Sequence, residues 1–222
     1  MAVIKFDEME YPELLKEIHN PPRNLFCRGN TRLLSKRCIT IVGTREATRY
    51  GYSVLNILLK KYIGLLDVCI VSGMARGIDT AVHSRCLELG IPTIAVIAGG
   101  IENIYPISSG YIYEEICKKG LVIAEYDGRV EMHKGMFPMR NRILAGISDT
   151  TVVIEAGLKS GSLLTANLAL EFGRDVFVVP GDITRKTSQG CNMLIKQGAE
   201  VITSPEDFMA ILGLESHQFK MI

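Results

Sequence analysis

The chain lacks an excess of charge of either sign: 25 Lys and Arg stand against 24 Asp and Glu, for a formal net charge of +1. That excludes a histone-like polycation, so a polyanion could dock only on a local basic patch. Long apolar runs are missing too. The longest, residues 91–101, is broken by Pro92, Thr93 and the Gly99-Gly100 pair, and it falls far short of the ~20 residues that span a bilayer. The N-terminus, Met1-Ala2-Val3-Ile4-Lys5-Phe6-Asp7-Glu8-Met9-Glu10, is acidic and has no basic stretch leading into an apolar one, unlike a secretory signal. A soluble, cytoplasmic protein without membrane association is expected. The six cysteines (Cys27, Cys38, Cys69, Cys86, Cys117, Cys191) include no Cys-x-x-Cys pair, and the four histidines (His19, His83, His133, His217) show no ligand spacing. Neither a disulfide framework nor a metal centre is expected. Most cysteines sit inside apolar runs, as reduced thiols of a protein core do.

What is present is a repeated alternation. Among 222 residues, 47% of them hydrophobic, short β-branched runs recur at 38–43, 67–73, 92–99, 121–125, 150–156, 175–181 and 199–203. Helical patterns lie between them at 47–63, 76–89, 108–119, 137–148, 161–173 and 188–198, two of which end near Gly90 and Gly173. Nearly continuous apolar strands alternating with helices predict a Rossmann-like, doubly wound, mostly parallel α/β sheet with helices on both faces. Three segments follow: an N-terminal helical and extended appendage over 1–37, with an acidic amphipathic helix at 7–19; the α/β domain over 38–214, closed by a helix at 205–214; and a tail at 215–222. Charge is uneven along the chain. Residues 20–50 hold seven Lys or Arg against Glu46 alone, whereas 197–219 hold four acids and no base.

In an open parallel sheet, ligands bind beyond the carboxyl ends of the strands, and three loops there look alike. The first reads Val42-Gly43-Thr44-Arg45-Glu46-Ala47-Thr48-Arg49-Tyr50-Gly51, the second Ser72-Gly73-Met74-Ala75-Arg76-Gly77-Ile78-Asp79. The third is Gly157-Leu158-Lys159-Ser160-Gly161-Ser162-Leu163-Leu164-Thr165. Each brings glycine, a hydroxyl and a base to a helix N-terminus, where free N–H groups and the helix dipole favour an anion. Tight turns alone would explain any one glycine, but not Arg45 and Arg76 beside the turns. None of the three is Gly-x-Gly-x-x-Gly or a Walker loop, so a phosphate pocket is predicted without a dinucleotide or triphosphate.

A fourth segment, Lys134-Gly135-Met136-Phe137-Pro138-Met139-Arg140-Asn141-Arg142, carries the strongest local signal. Pro138 suits a first helical turn, and Lys134, Arg140 and Arg142 bring positive charge. Arg140 and Arg142 lie about 200° apart around a helix, so one is expected to bind the anion and the other to hold a loop or a carboxylate. Phe137 beside these cations reads as a platform for a base of single-stranded nucleic acid, or equally as the hydrophobic staple of its helix. Asp79 reads as a cap or as an orienter of its loop through Arg76. His83, one turn on, reads as a polar residue lining the helix. Glu125 and Glu155, at strand ends, read as carboxylates that hold arginines. No catalytic residue, metal or cofactor is assigned.

Together these motifs resemble one family, DNA-processing protein A (DprA, also called Smf). The resemblance runs from about Tyr11 to Phe208 and also includes Ser160–Ala166, Gly173-Arg174, Pro180-Gly181 and Gly190-Cys191-Asn192-Met193-Leu194-Ile195-Lys196-Gln197-Gly198-Ala199. It implies an extended Rossmann domain, without turnover, that binds single-stranded DNA and assists loading of the RecA recombinase in natural transformation and recombination. It implies a DNA pocket made by Gly43, Thr44, Arg45, Ser72, Gly73, Arg76, Gly77, Lys134, Phe137, Arg140 and Asn141; the local motifs add Tyr50, Gly51, Arg142, Gly161, Ser162 and Thr165 as DNA- or phosphate-binding residues and Asp79, Glu125 and Glu155 as their support. It also implies a homodimer through residues 189–201, where Met193, Leu194 and Ile195 offer more apolar surface than one helix face can cover. This sequence departs from the family pattern at Glu102, where Asp is common, and at Ala124, where Ser is usual. The helical SAM-like and winged-helix-like domains of many members are not expected here. The rival class is a nucleotide-binding sensor or a phosphoribohydrolase of the related "lonely guy" type. Its Pro-Gly-Gly-x-Gly-Thr-x-x-Glu motif is missing from residues 155–165.

Overall fold

The computed structural model describes residues 1–214. Among them, nine strands form one sheet. Two lie near the N-terminus, β1 (Ala2–Lys5) and β2 (Asn24–Gly29). The other seven run parallel: β3 (Arg37–Val42), β4 (Val68–Ser72), β5 (Thr93–Gly100), β6 (Leu121–Tyr126), β7 (Thr150–Val153), β8 (Asp175–Val178) and β9 (Glu200–Val201). Across the sheet the order is β1-β2-β6-β5-β4-β3-β7-β8-β9. Residues of β3, β4 and β7 are buried nearly throughout, which is why these strands read as unbroken apolar runs and not as alternating ones. Helices α1 (Glu13–Lys16), α5 (Met136–Gly146), α6 (Gly161–Glu171) and α7 (Gln189–Lys196) cover one face. Helices α2 (Arg49–Leu58), α3 (Ile78–Leu89), α4 (Gly110–Lys119) and α8 (Pro205–Ile211) cover the other. The expected doubly wound α/β class is the one observed.

Residues 2–29 behave differently from the expected appendage. β1 and β2 add two antiparallel strands to the same sheet, β2 pairing with β6. Leu25 and Cys27 of β2 are buried while Phe26 and Arg28 are half-buried, the period-two pattern of a strand covering a core. The acidic helix expected over 7–19 shrinks to the single turn Glu13–Lys16. Pro12 starts that turn and Asn20, at φ 58°, closes the segment. This stretch is tied down by Tyr11, which donates its hydroxyl to the Pro22 carbonyl at 2.7 Å. Arg174 donates to Leu14 O at 3.0 Å and to Glu17 at 2.7 Å.

Two helix ends also differ from expectation. α3 starts at Ile78 and not at residue 76, because Gly77 sits at φ 89°, and a Cβ there would fall 2.3 Å from the Thr44 carbonyl oxygen. Only glycine meets both demands. α2 stops at Leu58, and a separate 3₁₀ turn, Lys61–Leu65, follows. The tail expected at 215–222 lies outside the described residues.

None of the described helices is long and apolar enough to cross a membrane. All six cysteines are free thiols, five of them buried. Burial pushes the Cys27, Cys86 and Cys191 thiols up to about 12, so they stay protonated packing groups.

Candidate functional site

The chain leaves β3 toward β4 on one side, whereas from β7 it proceeds to β8 on the other. Loops that part in this way open a crevice at the carboxyl ends of the two strands. A cavity of about 800 Å³ occupies that place, walled by the loop after β3, the loop after β7 and the N-terminal half of α5. The sequence-predicted residues Gly43, Thr44, Arg45, Asp79, Lys134, Phe137, Arg140, Asn141, Gly161, Ser162 and Thr165 all line it.

Its floor is a buried arginine with a buried carboxylate near it. Arg140, only 6% exposed, donates from Nη1 to the carbonyls of Gly73 and Val96 and from Nε to Asn141 Oδ1 at 3.2 Å. Asp79 approaches the same spot: a Cβ built on Gly73 would lie 2.6 Å from Asp79 Oδ2 and 2.8 Å from both terminal guanidinium nitrogens of Arg140. Glycine at 73 is what leaves room for both side chains above the chain. Burial raises the Asp79 carboxyl to about 6, with Arg140 pulling the other way, and the same burial lowers Arg140 to about 10. Both groups are therefore charged at neutral pH; Asp79, expected to orient its loop through Arg76, instead accepts from the Ala75 backbone N–H at 3.4 Å, with Arg140 as a nearby counter-charge.

The rim is open and basic. Arg45, Lys134, Lys159 and Lys186 are exposed there. The Arg45 guanidinium carbon lies 5.2 Å from the centroid of the Phe137 ring, and Tyr105 meets that ring edge-on at 5.4 Å. A cation over one part of the ring and an aromatic edge beside it hold Phe137 at the mouth of the cavity.

Glu155, 1% exposed, braces the walls. Its carboxylate accepts from Thr48 N at 3.0 Å, Thr48 Oγ1 at 2.8 Å and Thr187 Oγ1 at 3.2 Å, so the loop after β3 is bound to the loop after β8. Glu155 thus holds threonines, not the arginine expected.

Several predicted residues stand elsewhere. Arg142 does not line the cavity: it turns away along α5, donating to Glu125 at 2.5 Å, Asn20 O at 2.9 Å and Met139 O at 3.0 Å. Of the two arginines it is the one that holds a carboxylate and a loop. Ser72 is buried, donating to Ile41 O at 2.7 Å. Gly73 lies behind Arg140. Gly51 is packed against Glu155, whose Oε2 would lie 2.3 Å from an added Cβ. Arg76 and Gly77 line a separate groove beside α3, and Tyr50 lines a second cleft near Pro180. Leu194, expected at a subunit interface, is 1% exposed and part of the chain's own core, while Met193 and Ile195 are half-buried beside it. His83 is buried against Thr93 at 2.8 Å and held neutral, its pKa lowered to about 3 by burial. Among the described residues no group of three His, Cys, Asp or Glu could hold a metal ion.

Sequence reasoning missed Tyr105, Lys159 and Lys186. Lys159 lies within the third glycine loop, where its charge was the signal that could have found it. Lys186 lies five residues past Pro180-Gly181 with no motif around it.

The fold and its crevice define a class: a doubly wound α/β domain with a basic, aromatic-edged opening at the switch point of its sheet. The chain belongs to the DNA recombination-mediator protein A family, whose sequence pattern it matches over residues 2–213. It is 41% identical to the DNA processing protein DprA of Bacillus subtilis, with 97% of this chain and 73% of that protein covered. The crystal structure of DNA processing protein A from Streptococcus pneumoniae superposes with a TM-score of 0.89 at 38% identity, covering 94% of this chain and 73% of that one. DNA processing protein A from Helicobacter pylori, whose structure addresses its single-stranded DNA binding mode, superposes with a TM-score of 0.84 at 30% identity over 95% of both chains.

Proposed function

We propose that the crevice binds single-stranded DNA without turning it over, and that the protein thereby assists loading of a RecA-type recombinase in natural transformation and recombination. The observation that carries this reading is the Phe137 ring at the cavity mouth with the Arg45 guanidinium over it, inside a rim of three lysines. A strand offers unpaired bases and phosphates together; a ring takes the base face and exposed cations take the phosphates. Duplex DNA offers the phosphates but keeps its bases stacked. The relatives' names as DNA processing proteins, and the single-stranded DNA binding of the Helicobacter pylori protein, support the same reading.

The test is a gel shift comparing an oligo-pyrimidine strand, its duplex and a free nucleoside monophosphate. The strand should bind, the duplex should bind more weakly, and the nucleotide should not displace the strand. Tight binding and steady hydrolysis of the monophosphate would instead favour the phosphoribohydrolase class. The same reading takes the protein to be a cytoplasmic homodimer through the α7–β9 surface. There Met193→Asp should lower the mass seen by light scattering without unfolding the chain, whereas Leu194→Asp should unfold it. An unchanged mass for a well-folded Met193→Asp protein contradicts that interface.

A further inference from the structure

A cavity of about 800 Å³ is the size of a small-molecule site, so it holds a short stretch of a strand and the remainder must leave across one wall. We infer that the strand leaves across the Thr48–Thr187 ridge into a second cleft, formed by the start of α2 and the loop after β8. There Arg49 and Arg185 take its next phosphates. This rests on the reading of the crevice as a single-stranded DNA site.

Four observations place the exit there. The second cleft, of about 600 Å³, is lined by Arg49, Tyr50, Pro180, Gly181, Arg185 and one acid, Asp182. It is joined to the crevice through consecutive residues, since Lys186 and Thr187 line one cavity and Arg185 the other. The ridge between the two presents no exposed carboxylate to a strand: Glu155 is buried and accepts three hydrogen bonds from Thr48 and Thr187. The cations of the second cleft are available. Both arginines are exposed; among the described residues Arg49 makes no ion pair, and Arg185 reaches only Asp182, at 3.8 Å. Asp182 is itself engaged by the backbone and hydroxyl of Thr184, each at 2.8 Å.

The groove on the other flank is less suited. There Arg85 is committed to Glu88 at 2.8 Å, and Arg76 donates to the Arg45 carbonyl at 3.3 Å. The second cleft also has a wall suited to a base: Tyr50, half-buried, is held in place by its hydroxyl, which donates to Pro180 O at 2.5 Å.

The experiment compares oligo-dT strands of about 4 and about 16 nucleotides, the short and long ends of single-strand site sizes. Binding is measured by fluorescence anisotropy across a salt series for wild type, Arg49→Ala, Arg185→Ala and Arg76→Ala, with folding checked by circular dichroism. Each of Arg49→Ala and Arg185→Ala should weaken the long strand and flatten its log–log salt slope by about 0.7, the share of a single phosphate. Both should leave the short strand as it was. An equal loss on both strand lengths, no loss on either, or a loss on the long strand confined to Arg76→Ala would each overturn the exit path. If wild type binds neither strand, the crevice itself has been misread and the exit path falls with it.

Discussion

The floor and the rim of the crevice both carry cations, yet they are built in opposite ways. Arg140 on the floor is buried, bonded to two backbone carbonyls and faced by a carboxylate. Arg45, Lys134, Lys159 and Lys186 on the rim are exposed and stand over open space or an aromatic ring. A buried charge has to be fully partnered before folding tolerates it, so Arg140 is fixed by the fold and its charge is largely used up there. An exposed cation costs folding little and contributes little to it, which leaves its charge for a ligand. Stability and binding should therefore separate between floor and rim, and substitutions on each side can break that separation.

The largest effect is expected on the floor. Arg140→Ala leaves the Gly73 and Val96 carbonyls without their buried donor and should lower unfolding free energy by about 3 kcal/mol, the upper scale for a buried polar group left unsatisfied, as read by chemical denaturation. A loss within about 0.5 kcal/mol, the range of ordinary surface substitutions, would mean Arg140 is not what holds the floor.

Asp79 gives the floor a pH signature. In the folded chain its carboxyl holds a proton up to about 6, against 3.8 for an ordinary Asp. Between those values the folded state binds more protons than the unfolded one, so stability must fall as pH rises. Relative to Asp79→Asn, wild type should lose stability across that window, at up to about 1.4 kcal/mol per pH unit, and change little above it. Wild type gaining stability relative to Asp79→Asn as pH rises through that window would reverse the assignment.

Rim substitutions should leave folding alone. Phe137→Ala should cost strand binding about 1–3 kcal/mol, with the midpoint of thermal unfolding nearly unchanged. A large drop in that midpoint would return Phe137 to the role of a helix staple.

The sequence displays the parallel core because strands buried on both faces leave an unmistakable run such as Cys38-Ile39-Thr40-Ile41-Val42. It hides β1 and β2, whose four and six residues lie at the sheet margin. There burial alternates, and Asn20-Pro21-Pro22 reads only as a loop. The crevice was legible through its glycines and arginines, because turn chemistry and charge fall in short motifs. Lys186 was not: its position depends on how far the loop after β8 reaches back over the sheet, which is a tertiary fact. Leu194 misled for a simpler reason. Three consecutive apolar residues span about 200° of a helix, and the middle one faces the core.

The most direct measurement is the salt dependence of oligo-pyrimidine binding for Arg45→Ala beside Phe137→Ala. If Arg45 holds a phosphate, Arg45→Ala flattens the log–log slope by about 0.7. If Phe137 holds a base, Phe137→Ala binds more weakly at every salt concentration with the slope of wild type. Strand binding by both variants as tight as wild type at low and moderate salt, with folding intact, would contradict both roles and the crevice as the DNA site.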